Sequence, residues 1–160
     1  VDAQLGIGHT RWATHGVPST KNAHPQDSGN SIFVVHNGII ENHENLRKKL
    51  SKEGFKFKSD TDTEVISHLV NLYKTKGYDF DSAVMRTIAE LKGAYALGII
   101  DLENPDLVIG AREHSPLVVG EGIEENFIAS DVMALSQITN KYYIIHFYFN
   151  FIVKTKINKI

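Results

Sequence analysis

SIFVVHNGIIENH, Ser31 to His43, divides into two halves of different periodicity. Ser31 to His36 is a short apolar run rich in β-branched residues that stops at Asn37-Gly38, which predicts a buried strand running into a turn. The second half leads to Leu46 and Leu50, four apart, with Gly54 shortly after, which predicts a helix over Asn42 to Glu53 closed by a glycine. Downstream, Thr61 and Glu64 fit a capping box, and Val65, Ile66, Leu69, Val70 and Tyr73 form one apolar stripe that Gly77 ends. Asp81 to Lys92 repeats the pattern with Val84, Met85, Ile88 and Leu91, and Gly93 stops it. Then the period changes. Ala94–Asp101, Leu107–Ala111, Leu117–Gly120 and Phe127–Ser130 are short strands separated by turn residues such as Asn104-Pro105-Asp106. Helices and strands in clusters, not in alternation, predict an α+β layered fold over a doubly wound sheet.

At 160 residues the chain is long enough for one domain with a sizeable core. A formal charge of −2 gives no sign of a nucleic-acid or acidic-membrane partner. The sequence contains no cysteine, which excludes a disulfide framework, a thiolate metal site and a thiol nucleophile. Eight histidines are present, but without HExxH or other ligand spacing, so no metal is expected. No GxGxxG or P-loop pattern occurs, so no nucleotide cofactor is expected either. His24, in the run NAHP, is expected to be a structural hydrogen-bonder within its loop. No signal peptide is visible, which makes the cytoplasm the default compartment, and a start at Val1 suggests a segment of something longer.

The last 21 residues, Asn140 to Ile160, differ in kind. Eighteen are Ile, Lys, Asn, Phe or Tyr, and four lysines with no acid leave −6 on the rest of the chain. The stretch Tyr142 to Val153 is too short to span a bilayer, which takes roughly 20 apolar residues. It is an aggregation liability if exposed. All five dominant residue types have AT-rich codons, so residues 140–160 are read as an atypical tail outside native coding sequence; a divergent edge strand is the alternative.

Three polar stretches could carry chemistry. In GIGHTRWATHG, Gly6 to Gly16, Arg11 offers a planar fork of donors suited to a carboxylate, and Thr14 and His15 could add hydrogen bonds. Trp12, the sole tryptophan, is placed to act as a lid. The same residues would equally suit an ordinary surface loop with a solvated arginine. Asn37 and Gly38 could aim a side-chain amide and a backbone N–H at developing negative charge, or could simply make the commonest tight-turn dipeptide. Asp62, in SDTDTEV at Ser59 to Val65, could accept an ammonium group or favour the dipole of the helix it precedes.

GHTRWATHG, NAHP, VVHNGIIENH, SDTDTEV, GAYALGII, SPLVVG and ENFIASD follow one another from Gly6 to Leu135. In wording and order they resemble the glutaminase domain of the glutamine–fructose-6-phosphate aminotransferases, within the class II (N-terminal-nucleophile) glutamine amidotransferases. The resemblance implies a four-layer αββα sandwich, here missing its first strands. It implies that Arg11 binds the glutamine carboxylate with support from Thr14 and His15, that Trp12 shields the site, and that Asp62 binds the α-amino group. Asn37 and Gly38 would form the oxyanion hole. It further implies a homo-oligomeric parent enzyme in which a sugar-phosphate isomerase domain uses the released ammonia to make glucosamine 6-phosphate for UDP-N-acetylglucosamine synthesis. The family's Cys-Gly-Ile start has no counterpart before Gly6, so residues 1–139 are expected to be a partial domain. The chain is also expected to be inactive alone, and poorly soluble or partly molten. The alternatives are a non-catalytic glutamine-binding regulatory module or another class II amidotransferase.

Overall fold

The computed structural model describes residues 5–12, 14–145 and 151–156, the last of these as backbone. Among these residues, eight strands and three α-helices run in the order β1 (Gln26–Ser28), β2 (Ile32–Ile40), α1 (His43–Lys52), α2 (Glu64–Thr75), α3 (Phe80–Glu90), β3 (Gly93–Asp101), β4 (Leu107–Glu113), β5 (Val118–Glu121), β6 (Asn126–Ala129), β7 (Lys141–Ile144) and β8 (Phe151–Lys156). One antiparallel sheet has the order β1-β2-β3-β4-β8, and a second has the order β6-β5-β7. Among the described residues this makes three layers: helices, five-stranded sheet, three-stranded sheet. The α+β reading holds.

Periodicity explains the helical layer. Val65, Ile66, Leu69 and Val70 of α2 are fully buried, and they share a core with Leu46 and Leu50 of α1, Val84 and Ile88 of α3, and Ile32, Val34 and Ile40 of β2. Residues 32, 34, 36, 38 and 40 alternate on one face of β2, so His36 and Gly38 are carried on the strand face that holds the core residues. On the other side of the first sheet, Gly98 and Gly110 are paired across β3 and β4. A Cβ at Gly98 would crowd Val35 at 3.0 Å and Ile128 of β6 at 3.2 Å, and one at Gly110 would crowd Leu117 at 3.2 Å, so the two glycines form a smooth seat that lets the second sheet approach.

Three local expectations change. Asn37-Gly38 is not a turn: β2 continues through both residues to Ile40, with Asn37 opposite Ala96 and Gly38 opposite Tyr95. Gly38 adopts φ +119°, and a Cβ there would sit 2.0 Å from the Ala94 carbonyl oxygen, so glycine is required by the close approach of β3. The Thr61–Glu64 capping box does not form; α2 starts at Glu64 with Thr63 as its N-cap and no side-chain cap bond. Gly93 does not stop α3, which ends at Glu90; it opens β3 instead. The short edge strand β1 was not anticipated. Within the tail, β7 pairs with β5 and β8 with β4, each along an edge. Tyr142, Tyr143 and Ile144 are exposed. Residues 146–150, part of the apolar run, and Val1 to Gln4 lie outside the described residues.

Candidate functional site

All seven residues singled out from sequence, Arg11, Trp12, Thr14, His15, Asn37, Gly38 and Asp62, border one cavity of about 130 Å³. His9, His24, His36, Thr61 and Thr63 complete its wall. Four segments build it: the loop through residues 8–16, the stretch before β1 that carries His24, strand β2, and the loop that precedes α2.

The pre-α2 loop is held from both sides. The Glu64 carboxylate accepts the backbone N–H groups of Lys58 and Ser59, at 2.7 and 2.8 Å, and the Ser59 hydroxyl at 2.7 Å. Arg47 of α1 donates to the carbonyls of Ser59 and Thr61 at 3.1 and 3.0 Å, with its guanidinium stacked 4.1 Å from the centre of the Phe57 ring. Burial works to raise the Glu64 pKa, but the His68 ring and the three donors more than offset it, and the group falls from 4.5 to about 2. So braced, the loop delivers Asp62 into the wall. One Asp62 oxygen accepts the Ile40 N–H at 2.8 Å. The other lies 3.8 Å from His15 Nδ1. The His15 ring therefore stands beside the acid, while its backbone carbonyl faces Arg11.

The loop bearing Arg11 is closed on itself. Arg11 has φ +39°, and one guanidinium nitrogen donates to the carbonyls of His15 and Gly16 at 2.6 and 3.1 Å. Among the described residues, no hydrogen bond engages the other donors of the fork. Buried Asn22 fastens the end of this loop to the pre-α2 loop: it donates to the Val17 carbonyl at 3.0 Å and accepts from the Asp60 N–H at 2.9 Å. Trp12 does not cover the cavity. Its side chain is 96% exposed, and Thr14 is exposed at the rim.

Sequence reading missed His9, His36 and Thr63. The Thr63 hydroxyl lies 2.9 Å from His24 Nε2 and 3.0 Å from His36 Nδ1, joining the two rings. His24 is thus a structural hydrogen-bonder, but across to the pre-α2 loop instead of within its own. Burial lowers the pKa of each ring from 6.5 to about 4. Neighbouring His9 pushes both the same way, and Asp62 opposes the shift in both. One signal was available: a histidine on the core-facing side of a strand that otherwise buries only Ile and Val. Among the described residues no cluster of histidines and acids could hold a metal ion, and no helix is long and apolar enough to cross a membrane.

Physically, the cavity pairs a guanidinium at one side with a buried carboxylate at another, and it has amide donors on β2. That is a complement to a zwitterionic amino acid with a polar side chain.

The sequence profile described as "Glutamine amidotransferase domain" matches residues 9–137. The chain is 54% identical, over 142 residues, to the isomerizing glutamine–fructose-6-phosphate aminotransferase of Acinetobacter baylyi, covering 89% of this chain and 23% of the relative. It is 56% identical, over 137 residues, to the enzyme of the same name from Escherichia coli K12, covering 86% of this chain and 22% of the relative. The chain therefore spans less than a quarter of the length of these relatives. In architecture it is similar to the glutamine phosphoribosylpyrophosphate amidotransferase of B. subtilis complexed with ADP and GMP (TM-score 0.68, 23% identity, 94% of this chain and 34% of that one). It is equally similar to a structure described as the allosteric regulatory enzyme of purine biosynthesis (TM-score 0.69, 25% identity, again 94% and 34%). The chain belongs to the glutamine amidotransferase domain family.

Proposed function

We propose that the cavity binds L-glutamine, as the glutaminase part of a glutamine–fructose-6-phosphate aminotransferase that makes glucosamine 6-phosphate in the cytoplasm. The observation that carries this is the convergence of Arg11, Asp62, Asn37 and Gly38 on one cavity. Arg11 takes the α-carboxylate through its uncommitted donors. Asp62 takes the α-ammonium through the oxygen that the Ile40 N–H leaves unused. The Asn37 amide and the Gly38 N–H stabilise negative charge that develops on the side-chain carbonyl. Trp12 and Thr14 close over the bound amino acid, and His15 steadies Asp62.

Covalent attack on the amide needs a nucleophile, and the sequence holds no cysteine. The 160-residue polypeptide is accordingly expected to bind glutamine without hydrolysing it. The acceptor chemistry, a sugar-phosphate isomerase domain and a homo-oligomeric parent belong to the larger protein of the proposal. No cofactor or metal enters it.

Calorimetric titration of L-glutamine into the wild-type chain, Arg11→Ala and Asp62→Asn tests the reading. Asp62→Asn keeps an oxygen for the Ile40 N–H but loses a charge-assisted bond of about 1.5–3 kcal/mol, equivalent to roughly 12- to 150-fold in affinity. Wild-type binding that neither substitution weakens would sink the site. We further propose that residues 140–160 lie outside the functional domain. The profile match ending at residue 137 and the tail's composition support this. A chain ending at Thr139 should then bind glutamine as the full chain does, whereas loss of binding would make the tail an integral part of the fold.

A further inference from the structure

The hydrogen bonds around His9 determine its tautomer and, through it, the orientation of the Asn37 amide. The Arg11 backbone N–H lies 2.7 Å from His9 Nδ1. A backbone N–H can only donate, so Nδ1 carries no proton and the neutral ring must carry its hydrogen on Nε2. That Nε2–H lies 2.7 Å from Asn37 Oδ1. Donor meets acceptor only if the oxygen arm of the amide faces His9. The flipped amide would set an NH₂ against an N–H and lose the bond.

We propose that His9 is a positioning residue: it pins the oxygen of the Asn37 amide, turns the NH₂ arm to the cavity as a donor, and locks this to the backbone of Arg11. The chain of consequence starts in the loop. Arg11 is a non-glycine residue at φ +39°, and its N–H is the one that fixes the His9 tautomer. A change of conformation at Arg11 that withdrew this N–H would free the ring to take the other tautomer, and Asn37 would lose its anchor. The His24 ring lies against His9, with centroids 4.7 Å apart and planes 30° apart, which limits rotation of the His9 plane. His24 is itself held by Thr63. The amide donor on β2 is thereby set by a ring whose tautomer the loop backbone fixes.

This rests on the proposed glutamine site, so the test separates the two. Long-range proton–nitrogen spectra of the histidine-labelled chain at neutral pH should show His9 as the Nε2–H tautomer; a Nδ1–H tautomer or an imidazolium would overturn the proposal. Affinity is then compared for L-glutamine and for L-2-aminobutyrate, which keeps both charged ends but has no side-chain amide. His9→Leu should weaken glutamine about 2- to 12-fold, the worth of one neutral hydrogen bond, and leave L-2-aminobutyrate unchanged. His9→Gln, which restores a side-chain donor, should recover most of the loss. Equal weakening of both ligands, or no recovery with Gln, would mean that His9 merely packs the loop. If neither amino acid binds the wild-type chain, the glutamine reading falls, and the tautomer of His9 still decides the positioning claim.

Discussion

Replacing Glu64 with Gln tests how the fold delivers Asp62 to the cavity. Glu64 is 1% exposed, and its two oxygens accept three hydrogen bonds from Lys58 and Ser59. Glutamine has nearly the same shape, but one arm becomes NH₂ and must face a donor, so at least one backbone N–H loses its acceptor. The magnitude follows from the pKa, which drops from 4.5 to about 2 in the folded chain. A folded-state value below the unfolded one stabilises the fold above the unfolded pKa, and that contribution disappears as pH falls through the folded pKa. Glu64 therefore contributes about 3 kcal/mol at neutral pH, lost between about pH 4.5 and 2. Glu64→Gln should lower stability by about that amount at pH 7, or roughly 6–12 °C in melting temperature for a chain of this length. Urea unfolding at a series of pH values provides the assay. The gap between wild type and variant should be full at pH 7 and shrink steadily below pH 4.5. A gap that is absent at pH 7, or that stays constant down to pH 3, would refute the assignment of Glu64 as an ionised brace.

Other expectations follow from the same geometry. His36, 4% exposed, has its pKa lowered from 6.5 to about 4 by burial, so its contribution is complete above pH 6.5 and disappears as pH falls toward 4. Urea midpoints at pH 7 and 4.5 should show the wild type losing about 2–3 kcal/mol more than His36→Gln; equal losses would contradict it. Gly38→Ala should cost about 2–5 kcal/mol, combining left-handed strain with overpacking against the Ala94 carbonyl, and a wild-type melting temperature would show that β2 can shift away from β3. Trp12, the sole tryptophan and almost wholly exposed, should shift its fluorescence to the blue and gain protection from acrylamide when L-glutamine binds. Unchanged emission at saturating ligand would remove it as a lid.

Much of the scaffold was legible because periodicity reports burial. The stripe from Val65 to Val70 and the strand residues from Ala94 to Asp101 lie where their spacing predicts. Two local signals misled for the same reason, that a short window cannot see a distant partner. Asn37-Gly38 has the chemistry of a tight turn, yet pairing with Ala96 and Tyr95 holds it in a strand. Thr61 and Glu64 have capping-box spacing, yet Glu64 reaches back to Lys58 and Ser59, outside the box. The seven site residues were legible as three separate phrases whose wording resembles a known family. Their meeting at one cavity could not be read from spacing, because strand β2 and the two loops come together only through the sheet. The links joining His9 to Asn37 and Thr63 to both His24 and His36 were illegible, since no sequence pattern connects residues so far apart.

The most direct measurement is a structure of this chain with L-glutamine bound. The account predicts the α-carboxylate at Arg11, the α-ammonium on the Asp62 oxygen that faces His15, and the side-chain carbonyl within hydrogen-bond reach of the Asn37 NH₂ and the Gly38 N–H. Glutamine bound outside this cavity, or bound in it with its charged ends away from Arg11 and Asp62, would contradict it.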